Sequence, residues 1–187
     1  MEIGYVNKRA LIKPNIFSSE LLIVTDNIKL TFDNSKNIFS LNKANVSSKT
    51  FNLSFKDYFG FFPPDISKFN SSENSIVLWS RKNSYFVLSN MTMNELTSAF
   101  EILGSVTDQT GGWLIFKIDG KGSLSLFEKL LSINLDNFSD GSCVRTSINK
   151  INCFVLCKKK FQAYDIICPI SFSESMKSRL TELIKLT

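Results

Sequence analysis

The sequence contains no histidine. That absence removes Ser-His-Asp and Cys-His machinery from this chain, because both need an imidazole to take the nucleophile's proton. It also removes any His-ligated zinc or iron site. Lys, carboxylate, Cys and Tyr chemistry stay available. No run of about 18 apolar residues occurs, so no transmembrane helix is expected. The opening MEIGYVNKRALIKPN places Glu2 early and lacks the continuous apolar core of a secretion signal. Cys143, Cys153, Cys157 and Cys168 show no CxxC spacing and no secretory context, so they read as inert buried thiols. A reduced, cytoplasmic protein is the expectation. Sequons such as Asn52-Leu53-Ser54 are then accidents of a Ser- and Asn-rich composition.

What is present is ordinary globular material. The chain has 187 residues, 43% hydrophobic and 21% charged, which argues against global disorder. A chain of this length buries roughly 70% of the surface its unfolded form exposes, so it needs no disulfide or metal to fold. The net charge of +5 comes from 22 basic and 17 acidic residues spread along the chain, which suits a solvated, slightly basic surface. A nucleic-acid module would instead need a basic face with interleaved aromatics on one sheet. The spread of acidic residues makes that the weakest reading.

The chain reads as one domain, 1–187, with room for two pseudo-repeated subdomains. Residues 1–74 read as irregular or extended. ELLIVTD (20–26) and NIKLTFD (27–33) are strand-like, with a turn at Asp26-Asn27. The Ser/Asn-rich segment 35–54 reads as a polar loop. DYFGFFPPD (57–65) reads as a rigid loop rather than a helix, because two prolines follow its aromatics. Phe59, Phe61 and Phe62 then either fold back onto the core or meet a partner.

From Ser75 the pattern sharpens. SIVLWS and SYFVLSN form a hairpin across RKN. Thr92 and Glu95 make a capping box for a helix whose apolar face is Met93, Leu96, Phe100 and Leu103, with Gly104 ending it. In VTDQTGGWLIFKID, Asp108 caps a turn through its side chain, and the strand after Gly111-Gly112 is apolar enough to be covered on both sides. Ser123 is the candidate N-cap of a helix with Leu126, Phe127, Leu130 and Leu131 on its buried stripe. DGKGS lacks the spacing of a phosphate loop and reads as an ordinary turn and cap. After an Asp140-Gly141 turn, VRTSI, INCFVLC and QAYDIIC read as antiparallel strands. Ser171 and Glu174 suggest a second capping box, with Phe172, Met176, Leu180 and Leu183 on the apolar face of the last helix and Lys185 in its last turn. The order predicts an α+β fold of mostly antiparallel sheets with helices packed on one face.

The residues from VTDQT through AYDIICPISFSESM resemble the gamma subunit of heterotetrameric sarcosine oxidase. More distantly they resemble the folate-binding aminomethyltransferases of the glycine cleavage system. IVLWSRKNSYFVLS looks like the tryptophan-bearing hairpin of the same family. The match is best over 75–187 and looser through FGFFPP. The resemblance implies an aminomethyltransferase folate-binding-domain-like fold and a place in a complex that oxidatively demethylates sarcosine. It implies no catalytic, cofactor or metal residue in this chain. FAD, FMN, NAD, zinc and tetrahydrofolate are then expected in the partner alpha, beta and delta subunits, with docking chiefly on the large alpha subunit. No nucleic acid or membrane partner is expected. One departure stands out: where aminomethyltransferases carry a Gly-Tyr-Thr-Gly-Glu-type loop, this chain has CKKKFQAYD. Lys158, Lys159 and Lys160 there read either as a solvated hairpin tip or as a contact for an acidic partner or phosphate. A free-standing folate-binding one-carbon protein is the alternative reading.

Overall fold

The structure is a computed structural model and describes residues 19–187. From its start run β1 (Ser19–Val24), β2 (Lys29–Asp33), β3 (Asn37–Lys43), α1 (Ser48–Phe59), β4 (Phe69–Ser71), β5 (Ser75–Arg81), β6 (Ser84–Ser89), α2 (Met93–Phe100) and β7 (Gly104–Asp108). There follow β8 (Trp113–Asp119), α3 (Ser123–Leu130), β9 (Cys143–Ile148), β10 (Ile151–Lys159), β11 (Ala163–Pro169) and α4 (Ser173–Lys185). Two fully antiparallel sheets result. One has the order β1-β2-β8-β11-β10-β9 and the other β4-β5-β6-β3-β7.

The sheets stack face to face, and helices cover the outer face of each. Side chains alternate along a strand, so every central strand feeds two cores. On β10, Phe154 and Leu156 point to the layer between the sheets, while Cys153, Val155 and Cys157 point to α3 and α4. On β3, Ile38 enters the same middle layer and Phe39 packs under α1 and α2. The strand WLIFKID behaves as its sequence predicts, with Leu114, Phe116 and Ile118 on one side and Ile115 on the other.

The two halves share one layout. In β3-α1-β4-β5-β6-α2-β7 the strand after α2, β7, pairs with the first strand, β3. In β8-α3-β9-β10-β11-α4 the corresponding place beside β8 is taken by β2, which precedes the first half in sequence. The early chain thus completes the sheet of the late half.

Several local expectations are overturned. The segment 35–54 is not a loop. It forms β3 and most of α1, because Phe51, Phe55 and Phe59 fall four apart on one buried stripe. The Ser47 hydroxyl caps that helix by accepting from the Thr50 N–H at 3.0 Å. DYFGFFPPD therefore begins as the last turn of α1, and Gly60 closes it in the left-handed conformation. Gly104 does not terminate α2. It opens β7, where a Cβ would sit 2.5 Å from the Asn42 carbonyl oxygen of β3. Gly122, not Ser123, is the N-cap of α3; Ser123 is buried and donates its hydroxyl to the Gly120 carbonyl at 2.7 Å. The Ser171–Glu174 box is absent, because residues 170–172 form a 3-10 turn and Phe172 stands exposed. The Thr92–Glu95 box, in contrast, is fully formed.

Gly120 fastens the β1–β2 turn to the late half. Its φ is +130° and an added Cβ would lie 2.1 Å from the Asn27 carbonyl oxygen. Gly120→Ala should therefore lower unfolding free energy by about 2 kcal/mol or more. Gly111→Ala, with open space around it, should change little. Urea unfolding of the two variants checks this, and equal midpoints would contradict it.

Candidate partner-contact site

The structure divides the six residues singled out for partner contact. Phe59 is buried in the α1/α2 core, stacked with Phe100 at 5.9 Å, so it cannot meet a partner. Phe61 is half-buried against Phe55 and Phe59. Phe62 is exposed, with the Lys56 ammonium 4.9 Å above its ring. The lysine run is not a hairpin tip throughout. Lys158 and Lys159 belong to β10, and only Lys160 lies in the turn. Lys158 is half-buried with its ammonium 5.1 Å over the Phe69 ring. Lys160 is tied down by the Asp136 carbonyl at 2.8 Å and, through its backbone N–H, by Asp140. Lys159 is exposed.

β4 brings the two halves of this set to one region. The Asn70 side chain on β4 donates to the Phe62 carbonyl at 2.9 Å, and Phe69 on the same strand carries Lys158. β4 also reaches the other sheet, since the Phe69 N–H donates to the Gly141 carbonyl. Phe62, with the Lys56 ammonium over its ring, is the solvent-facing aromatic of this corner, and Ile66 in the following loop is exposed as well. An exposed aromatic beside a lysine suits a surface that meets an acidic-rimmed apolar patch.

Behind Lys158 lies a buried charge cluster between the sheets. Asp165 on β11 pairs in register with Lys117 on β8 and is only 6% exposed. Burial pushes its carboxyl up to about 6, against the pull of Lys158 and Lys117. Burial also lowers Lys158, and Asp165 opposes that shift. Asp33 on β2 is buried too, which alone would raise it. The ion pair with Lys117 and the bonds from Ser35 outweigh burial and hold it below the ordinary carboxylate value. No sequence motif marked this cluster, because its members come from three strands and meet only through the register.

All four cysteines are free and buried. Burial raises the Cys143 and Cys168 thiols to about 12 and those of Cys153 and Cys157 to about 11. Thiolate is the reactive form, so these groups are inert at neutral pH. No cluster of three or more metal-ligating side chains occurs among the described residues. Asp108 does what its sequence suggests: it accepts from the Thr110 N–H at 2.9 Å and from the Thr110 hydroxyl at 2.6 Å. No helix among the described residues is long and apolar enough to cross a membrane.

No family model matches the sequence. No curated protein matches it either. Solved structures do. A chain of the heterotetrameric sarcosine oxidase from Corynebacterium sp. U-96, in complex with pyrrole 2-carboxylate, superposes with a TM-score of 0.75 at 15% identity. That match covers 88% of this chain and 87% of the other. The glycine cleavage system aminomethyltransferase T from Bartonella henselae superposes with a TM-score of 0.53 at 10% identity. There 78% of this chain covers 43% of the enzyme. The chain shares their fold. It is an α+β fold of two antiparallel sheets, like the folate-binding domain, as the sequence resemblance implied.

Two outcomes test the buried chemistry. Asp165 has a folded value above its unfolded one, so its protonated form favours folding below about pH 4 and that contribution is lost as pH rises through about 6. Asp165→Asn should thus add on the order of 2 kcal/mol at about pH 7.5 and almost nothing at about pH 4, read by urea unfolding. An equal gain at both values would contradict the burial argument. A thiol reagent at mildly alkaline pH should label no cysteine in the native protein and all of them after denaturation. Rapid native labelling of any one would show that its burial is wrong.

Proposed function

We propose that this chain is a small non-catalytic, gamma-type subunit of a sarcosine oxidase complex. In such a complex sarcosine is oxidatively demethylated to glycine; the methyl carbon passes to tetrahydrofolate and the electron pair to oxygen, which leaves as hydrogen peroxide. The flavins, NAD, zinc and the folate site belong to the partner alpha, beta and delta subunits, and this chain docks chiefly on the large alpha subunit. The observation that carries the reading is the reciprocal cover with the Corynebacterium oxidase chain, 88% of one and 87% of the other, which makes the two chains alike in extent as well as fold. The absence of histidine and the four suppressed thiols support it, since they leave little for a reaction of its own. Exposed Phe62 with Lys56 over its ring, beside β4, supports a docking contact there.

A free-standing folate-binding protein is the second reading, and the aminomethyltransferase likeness favours it. Against it, this chain spans under half of that enzyme, and by the sequence resemblance CKKKFQAYD takes the place of the glycines and glutamate of the folate loop. Affinity purification of the tagged chain from its native host separates the two. A yellow eluate with a large partner chain and sarcosine-dependent peroxide is the expected result. A lone colourless chain that binds reduced folate would replace this reading with the second.

A further inference from the structure

The middle layer does not close along its whole length. At one end a crevice of about 160 Å³ opens between the sheets. Its cause is local. The inner face of the five-stranded sheet changes there from Ile38, Leu78 and Phe86 to Ser40, Ser80 and Ser84, which are too small to reach the other sheet. Its floor is an aromatic trio: Trp113 lies 5.2 Å from Phe86 and 5.9 Å from Phe154, ring to ring.

Two arginines flank this opening from opposite sheets, Arg81 on β5 and Arg145 on β9. Neither is in an ion pair among the described residues. Arg81 is aimed through Nε, which donates to the Ser84 hydroxyl at 3.2 Å, and that hydroxyl donates on to Asn42 at 2.6 Å. The Arg145 guanidinium lies over the Phe154 ring at 5.5 Å, and the side chain makes no hydrogen bond among the described residues. Like charges lining one crevice repel, and an anion held there offsets that cost. A planar carboxylate fits the guanidinium fork best.

The geometry points to a binding site for a small organic carboxylate, its acid group between Arg81 and Arg145 and its apolar body against Trp113. The volume holds about five waters at roughly 30 Å³ each, well under the roughly 300 Å³ of a cofactor pocket. A flavin or a folate is therefore too large, and a monocyclic or short-chain acid is the class that fits. This site is independent of the subunit assignment, because it lies in the chain's own inter-sheet layer.

The test is a fluorescence titration of the full chain carrying Trp79→Phe, which leaves Trp113 as the reporter. Benzoate should change the signal saturably. Its neutral isostere benzamide, and benzoate on an added Arg81→Gln or Arg145→Gln, should bind roughly tenfold more weakly or worse. Both arginines are exposed, so these variants should fold, and the benzamide comparison needs neither. No saturable response to benzoate, or an equal response to benzamide, would overturn the proposal. So would a response to a glutamate-rich peptide with none to free acids, since the site would then belong to a polypeptide.

Discussion

The layer between the two sheets is the constraint on which the rest depends. Two antiparallel sheets can stack and also carry helices on their outer faces only if their central strands are apolar on both faces, and then each strand supports a middle core and an outer one at once. β8, β10 and β11 do this in one sheet, and β3, β5 and β6 in the other. The outer cores bring the helices to the surface of each sheet, and the register decides which polar residues are forced inside. Asp165 and Lys117 face the middle layer for the same reason that Ile167 and Ile115 do: they occupy alternate positions on paired strands.

That constraint explains what was legible. Doubly buried strands read as unbroken apolar runs, so the 75–89 hairpin, WLIFKID, β10 and β11 could be found from sequence, while the half-exposed edge strand β9 was found from its short break to β10. Helix α2 was legible because Thr92 and Glu95 satisfy one another's backbone. The first half was harder. In α1 the composition is Ser, Asn and Lys, and only Phe51, Phe55 and Phe59 carry the helical period. Reading that spacing, with Ser47 ahead of it, would have found the helix; reading composition gave a loop. Ser123 and Ser171 misled for the opposite reason, since a capping residue type was present while the backbone took a different turn.

The site was less legible than the fold. Phe59 and Phe62 are three residues apart and indistinguishable as residue types, yet a helix end buries one and a loop exposes the other. The charge cluster and the arginine crevice have no linear signature at all, because their members lie on both sides of the chain's midpoint. The middle layer thus does two opposed things. It is dry enough at its centre to hold Ile38, Leu88 and Ile167, and open enough at its margins to hold charge.

Native-state hydrogen exchange tests the shared middle layer most directly. If the two sheets are one cooperative unit, amides of β3 and β6 and amides of β8 and β11 exchange through a single opening with the same free energy. Destabilising either sheet then lowers protection in both. A sheet that opens on its own at lower energy, while the other keeps its protection, would contradict the account.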